Sequence, residues 1–504
     1  MSRHQARHFN SVELGLFSSR IAAICEEMGA LLGRVAFSPN IRDRLDYSCA
    51  LFSRKGHLLG QATHIPVHLG SMAYAMVDLV ESRQWHAGDM LILNDPYKGG
   101  THLPDVTLVA PVFALGELAG FCANRAHHAD IGSDAPGSMP VSSALSEEGI
   151  LISPTLLMRG GEVDEGFLQS LLAGLTSADT SRGDFNAQIA ANLLGAERLR
   201  DLVEASGAGE FDRQESSLQS WARSLVSQSL ASIPSGRYQF EDYLDDDGHG
   251  QTGIPVKVTV SVRGGGVEVD FSGTAAQVEG NLNCPMPVTA AAVFYVFRCL
   301  MPAHTPACHG ALQGVTISAP PGCLVNALSP AAVAAGNVET SSRIVDAVCG
   351  ALAQALPEQL AAASQGTMNN LAMGKRGEGG WDYYETLGGG MGAACNGDGR
   401  SARHSHMTNT LNTPVEVLEL NYPLRITRYS IREDSGGAGQ FRGGDAVVRQ
   451  YRFLEDAEVC LLTERRTHAP WGLEGGEPGL CGPTSWMAGS YRASCGLMPS
   501  PDKP

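Results

Sequence analysis

Between residues 99 and 132, in "GGTHLPDVTLVAPVFALGELAGFCANRAHHADIG", imidazole and carboxylate side chains gather at both ends of two apolar runs. His102 and Asp105 precede the first run; His127, His128 and Asp130 follow the second. Neutral imidazole nitrogens and carboxylate oxygens are the donors that divalent Mn, Zn or Fe accepts. An N/O/N set drawn from three backbone points leaves coordination positions open for water or substrate. Whether the set forms depends on the chain between. Residues 106–113 and 118–125 read as strands joined by a turn over 114–117, and a hairpin centred on Gly116 puts Asp105 opposite His127. Opposed residues share a face, with Cβ atoms about 4.5–5.5 Å apart. A slip of one residue would put His128 in place of His127. His102, in the glycine-flanked loop that feeds the first strand, can fold over the same end. The plainer reading, hydrogen-bonded structural histidines at a strand end, accounts less well for such residues at both ends of one hairpin.

Other side chains are weaker candidates. Asp43, His64, His68, Asp95 and Asp130 could add ligands or the partners that orient them, although each alone is more often a solvated or structural group. In "RHSHMTNTLNTPVE", strand alternation would bring His404 and His406 to one face, but no carboxylate follows until Glu416. A substrate-facing or interface polar patch suits them better than a metal. The glycine-rich pieces "LGGGMGAACNGDG" and "SGGAGQFRGG" lack the Gly-Lys-Ser/Thr ending of a phosphate loop, so no nucleotide site is expected. The acidic run "EDYLDDDG" reads as a solvated turn.

The elements that must position these residues follow from periodicity. Leu14, Phe17, Ile21, Ile24, Met28 and Leu31 have helical spacing over 11–35, with Ser11 as N-cap. "DYSCALFSRKGHLLGQ" is a hairpin turning at Lys55-Gly56, and 90–93 is a short strand. Helices are expected at about 185–205 and 211–232. Pro234 and Gly236 then break the pattern, which suggests a domain boundary: 1–235 with the His/Asp hairpin, and 236–482 beyond it. "VKVTVSVRGGGVEVDFSG" alternates strictly around three glycines and predicts another hairpin. Helices are expected at 287–300 and 340–355, and the remainder is strand- and glycine-rich. The fold class is α+β, multi-domain, with mixed sheets and hairpins against packed helices rather than a doubly wound sheet.

Composition narrows the class. A chain of 504 residues, 43% hydrophobic and 18% charged, is long enough for two or three domains. A net charge of −17 disfavours nucleic acid and anionic membranes. The N-terminal stretch lacks an apolar h-region, and twelve cysteines show no paired CxxC spacing. A cytoplasmic enzyme or enzyme subunit with reduced thiols is expected.

Several long stretches carry a resemblance: "AFSPNIRDRLDYSCALFSRKGHLLGQATHIPVHLGSM", "LNDPYKGGTHLPDVTLVAPVF", "NRAHHADIGSDAPGSMP" and "HSHMTNTLNTPVEVLELNYPLRITRYSIREDSGGAGQFRGGD". Together they resemble the hydantoinase B/oxoprolinase family from about residue 10 to about residue 482. That family contains the B subunits of ATP-dependent N-methylhydantoinases, the C-terminal half of 5-oxoprolinases, caprolactamase, and the matching subunit of acetone and acetophenone carboxylases. The resemblance implies a hydrolase of a cyclic amide, N-methylhydantoin-like or 5-oxoproline-like. It implies an A-type partner chain that carries the ATP site, hence a hetero-oligomer. The alternatives are a subunit of an ATP-dependent ketone carboxylase and a non-catalytic scaffold for the A-type ATPase. In carboxylase relatives a His-x-x-Asp pair and a later His hold a metal, and by motif His102, Asp105 and His127 take those places as metal ligands and catalytic residues.

The tail departs from the family pattern. Relatives continue into an Asn-Phe-Leu-x-Gly-Arg-Glu-Leu-Pro-Gly-Lys-like stretch, whereas this chain ends "GPTSWMAGSYRASCGLMPSPDKP". Codons for the stretch from Thr484 to Ser494, read from one nucleotide earlier, can encode Asn-Phe-Leu-Asp-Gly-Arg-Glu-Leu-Pro-Gly-Lys. A frameshift replacing the tail over 483–504 is therefore expected.

Overall fold

A computed structural model describes residues 9–377 and 379–485. The tail expected to be frame-shifted falls, from 486 onward, outside the described residues. The first sheet has seven antiparallel strands: β1 (Tyr47–Ser53), β2 (Leu58–Gln61), β3 (Met90–Leu93), β4 (Asp105–Ala114), β5 (Glu117–His127), β6 (Thr155–Arg159) and β7 (Glu162–Val163). Their order is β2-β1-β5-β4-β3-β6-β7. β4 and β5 form the expected hairpin, each slightly longer than predicted, with a bulge between Val112 and Phe113.

Helices cover both faces of this sheet: α1 (Ser11–Val35), the short α2 (Pro39–Arg42), α3 (Pro66–Glu81), α4 (Glu165–Leu172), α5 (Ala178–Ser206) and α6 (Ala208–Ala231). Period-two alternation divides β4 between two cores. Val106, Leu108, Ala110 and Val112 pack with Phe17 and Ile21 of α1 and Phe185 and Leu199 of α5. Val109 joins Phe121, Ala123 and the α3 side chains Leu69, Met72 and Met76 on the other face. The N-cap of α1 is Asn10, not Ser11 as expected. Its side chain accepts the Val12 and Glu13 N–H groups at 3.0 and 2.9 Å, and Glu13 accepts the Asn10 N–H at 3.0 Å. The reciprocal pair needs a Glu three residues after the cap, and that spacing selects Asn10. α5 begins earlier than predicted, and only Gly207, with φ of 79°, separates it from α6.

The second sheet has the order β11-β10-β9-β8, built from β8 (Gly236–Asp246), β9 (Thr252–Arg263), β10 (Gly266–Asp270) and β11 (Val315–Ser318). The predicted hairpin turns at Gly264 and Gly265, whose φ angles of 56° and 81° suit a tight connection that other residues adopt at a cost. α7 (Met286–Cys299) and α8 (Ser341–Ala353) follow, and a π-helical turn at Gly336–Thr340 leads directly into α8. A three-stranded sheet joins β12 (Asn370–Lys375), β13 (Trp381–Thr386) and β16 (Glu458–Leu462). Between them come α9 (Val415–Asn421) and a ribbon of β14 (Leu424–Arg432) with β15 (Ala446–Phe453). The architecture is α+β with mixed sheets, as expected. One hydrophobic cluster passes through Phe17, Leu108, Val260, Val345 and Cys460, so side chains from distant parts of the sequence meet.

The acidic run is not a solvated turn. It forms the end of β8, with Asp242, Asp245 and Asp247 buried. Asp242 meets Arg465 at 2.8 Å, and Asp245 accepts the N–H groups of Arg466, Thr467 and His468. A charge run is buried here because cations and amide donors distant in sequence return to it. Among the described residues no helix is long and apolar enough to cross a membrane.

Candidate metal centre

The hairpin register pairs Asp105 with His127 and, one step inward on the same face, Thr107 with Arg125. That face looks onto α3. Arg125 donates to Thr107 Oγ1 at 2.7 Å and to Ser71 Oγ of α3 at 2.6 Å, and its other nitrogen reaches the Gly99 carbonyl at 2.7 Å. His128 belongs to the opposite face. Its Nε2 lies 2.9 Å from Gln188 Oε1 of α5 and its ring stacks on Phe185 at 4.4 Å. The slipped register is therefore not adopted.

His102 arrives from the loop before β4, where the Asp105 N–H donates to the His102 carbonyl at 3.1 Å and folds the imidazole back over the strand end. His102 Nε2 and His127 Nδ1 each lie 3.2 Å from Asp105 Oδ1 and 3.3 Å from one another. All three side chains are buried, and among the described residues they are the one group of three or more His, Cys, Asp or Glu close enough to share an ion.

The surroundings fix how these donors face inward. His102 Nδ1 is 3.1 Å from the Ala334 carbonyl, which can only accept, so the hydrogen sits on Nδ1 and Nε2 presents a lone pair. Asp105 Oδ2 takes Thr101 Oγ1 at 2.5 Å, His68 Nε2 at 3.2 Å and Asn337 Nδ2 at 3.3 Å. Its other oxygen is left for the two imidazoles. His127 stacks on Tyr384 at 4.7 Å with an interplanar angle of 14°, and the Arg44 guanidinium carbon lies 4.9 Å from the Tyr384 ring centre.

The charge balance agrees with a cation site. Burial disfavours charge on all three groups. Burial raises the Asp105 pKa, yet His102 and His68 outweigh it and hold the carboxyl well below its ordinary range. Burial lowers the His102 pKa, but the Asp105 carboxylate outweighs it and the net shift is upward. For His127 burial wins and its pKa falls, leaving a neutral ring. The two imidazoles therefore differ: one readily takes a positive charge beside Asp105, and the other remains a neutral donor. Two nitrogens and one carboxylate oxygen converging on one point suit a divalent cation.

The remaining sequence candidates lie elsewhere. Asp43 pairs with Arg42, and Asp95 accepts the Tyr97 N–H at 3.0 Å to cap a short turn. Asp130 accepts the Gly132 and Thr176 N–H groups. His64 Nδ1 accepts the Cys49 N–H at 3.2 Å. His404 and His406 do not share a strand face, because the backbone there is a loop and His406 has φ of 57°. His406 pairs with Asp346 at 3.4 Å, whereas among the described residues neither ring nitrogen of His404 has a partner and burial pushes its pKa down to about 4. Sequence reasoning missed Thr101, the Ala334 carbonyl, Asn337 and Tyr384. All but Thr101 come from more than 200 residues downstream of the hairpin, and no local pattern announces them. A cavity of about 1740 Å³ lies among β12, β14, β15 and the loops around Trp471, and none of the trio lines it.

Comparison with known proteins gives this geometry a setting. A family profile described as hydantoinase B/oxoprolinase matches residues 10–496. The chain is 39% identical to 5-oxoprolinase 1 of Arabidopsis thaliana over 94% of its own length, yet spans only 38% of that protein. It superposes on the crystal structure of an ATP-dependent caprolactamase from Pseudomonas jessenii with a TM-score of 0.82 at 28% identity, covering 90% of this chain and 80% of that one. It shares the fold of an acetone carboxylase chain, with a TM-score of 0.85 at 20% identity, covering 94% of this chain and 66% of that one. A match over nearly the whole length, joined to a common fold, places the chain in the hydantoinase B/oxoprolinase family.

Proposed function

We propose that this chain is the B-type catalytic component of an ATP-dependent cyclic-amide hydrolase, acting on an N-methylhydantoin-like or 5-oxoproline-like ring together with an A-type ATP-binding chain. The observation that carries the reading is the buried His102/Asp105/His127 set, with the His102 tautomer fixed and one Asp105 oxygen committed to structural donors. A lactam amide is a poor electrophile because nitrogen donates into its carbonyl, and ATP-driven activation on the partner chain relieves this. The trio would hold a divalent ion, which would supply Lewis-acid polarisation and lower the pKa of an attacking water.

The chain's own residues do the rest. His127 Nδ1 gives a neutral nitrogen donor, and His102 Nε2 gives a second one once its proton is displaced, both beside the anionic Asp105 oxygen. Thr101, His68 and Asn337 hold the carboxylate so that it does not rotate away. Burial excludes bulk water, which would discharge the activated group without opening the ring. The chain matches under two-fifths of that 5-oxoprolinase, so the ATP chemistry is assigned to the A-type portion of the assembly.

Co-expression with the A-type chain, followed by a panel of lactams and hydantoins scored for ADP and ring-opened product, tests the assignment. Ring opening that is lost in His102→Ala supports it. Bicarbonate-dependent carbon–carbon bond formation would move the chain to the carboxylases. Turnover unaffected by chelation and by His102→Ala would leave it a scaffold.

A further inference from the structure

The segment Pro330–Ala334 crosses the back of His102 with every carbonyl claimed. Leu145 N–H donates to Pro330, Tyr97 Oη to Ala331 at 2.8 Å, Asn283 Nδ2 to Ala332 at 3.0 Å and Gly336 N–H to Val333 at 3.0 Å. The last carbonyl, Ala334, receives His102 Nδ1. The two amides nearest that carbonyl are held by a single atom: Glu148 Oε1 accepts the Val333 and Ala334 N–H groups at 2.8 and 2.9 Å, and the Ser142 hydroxyl at 2.8 Å. Glu148 is fully buried, and its Oε2 has no partner among the described residues.

Packing alone does not call for a carboxylate here. Two adjacent backbone donors held on one oxygen fix the peptide groups leading up to the Ala334 Cα. The Ala335 N–H, donating to the Asn281 carbonyl at 3.0 Å, holds the far side of the group that carries the Ala334 carbonyl, and together they aim it. We infer that Glu148 is a positioning residue for the cation site: by gripping the Val333 and Ala334 amides it orients the carbonyl that keeps the His102 hydrogen on Nδ1 and its Nε2 open as a donor. The role rests on the metal-binding reading above. It extends that reading to a residue that touches none of the three donors. An oriented hydrogen-bond partner behind a ligating imidazole typically changes metal affinity by about 10–100-fold.

The test uses the full-length chain, with Co²⁺ titrated calorimetrically into the parent, Glu148→Ala, Glu148→Gln and Ser142→Ala, alongside thermal melts. ¹⁵N-histidine NMR of the metal-free proteins is recorded in parallel, and the His102 signal is assigned from its loss in His102→Asn. Glu148→Ala should weaken Co²⁺ binding about 10–100-fold and shift the His102 nitrogens from the fixed Nδ1–H pattern toward a tautomer mixture. Glu148→Gln, whose amide oxygen can still accept both N–H groups, should recover most of both signals, and Ser142→Ala should leave both near the parent. A folded Glu148→Ala protein with parental affinity and an unchanged His102 tautomer overturns the inference. If Glu148→Ala does not fold, Glu148→Gln decides: parental His102 signals support the positioning role, and a tautomer mixture despite the retained acceptor contradicts it. A parent that binds no Co²⁺ refutes the metal reading instead, and the tautomer pattern still judges Glu148.

Discussion

Two buried ionic clusters in this molecule have opposite characters. In one, Arg465 contacts Asp242 at 2.8 Å and Asp346 at 2.7 Å, while Arg343 lies 3.4 Å from Asp242 and 3.6 Å from Glu464. Each carboxylate meets a guanidinium. Burial pushes the Asp346 pKa up, yet His406 and Arg465 bring it down to about 2. In the other, Asp105 is ringed by His68, His102 and His127, bases that can each be neutral, and the nearby Arg125 is occupied by Thr107, Ser71 and Gly99. The first cluster carries its own countercharge and joins β8, α8 and the loop after β16. The second converges lone pairs on one point and takes a proton or a metal to balance it. A buried charge alone says little about function; a buried charge whose neighbours are bases rather than cations marks a ligand site.

The contrast can be broken from either side. Asp105→Ala removes the anionic donor and should reduce Co²⁺ or Mn²⁺ affinity by about 1000-fold or more, read by calorimetry, while the protein stays folded. Arg465→Met takes from Asp242 and Asp346 their nearest guanidinium, leaving them only Arg343 and His406 respectively. It should cost about 3–5 kcal/mol in denaturant unfolding while metal affinity stays at the parental value. Equal loss of metal binding in both variants would erase the distinction between the clusters.

Glu339, on the π-turn, supplies a pH test. Burial pushes its pKa up to about 7 against an ordinary 4.5. The folded state therefore holds this proton more tightly than the unfolded chain, so its stability contribution is complete below about pH 4.5 and is lost as pH rises through about 7. The unfolding free energy of the parent minus that of Glu339→Gln should fall by about 3 kcal/mol across that window, on the scale of 1.36 kcal/mol per pKa unit. A flat difference curve would mean that Glu339 is ionised and paired. The smallest effect is expected from Asn337→Ala, which removes one of three donors on Asp105 Oδ2. Metal affinity should drop about tenfold with little change in melting temperature.

Local patterns carried much of this molecule. The β4–β5 register followed from the apolar alternation and the turn glycine, and with it the Asp105/His127 pairing. Helical stripes predict α1 and the body of α5, and α6, α7 and α8 stand near their expected places, whereas α3, whose His68 and Ser71 meet Asp105 and Arg125, and α4 were not read from the sequence. What local patterns did not carry depends on contacts far apart in the chain. Nothing near Asp242 reveals that Arg343 and Arg465 return to it, so the acidic run read as solvent-facing. Nothing near His102 reveals the Ala334 carbonyl behind it or Asn337 beside Asp105. That downstream segment is shaped by close approach: a Cβ on Gly336 would stand 1.8 Å from the Asn283 carbonyl oxygen. His404 and His406 failed for a different reason, since strand alternation was assumed where the backbone turns.

The central claim is that His102, Asp105 and His127 bind one ion together. Anomalous diffraction from crystals of the full chain grown with Co²⁺ tests it most directly. One strong peak bonded to His102 Nε2, Asp105 Oδ1 and His127 Nδ1, absent in Asp105→Ala crystals, is the result predicted here. No peak among those atoms, with Co²⁺ found only at the surface, would contradict it.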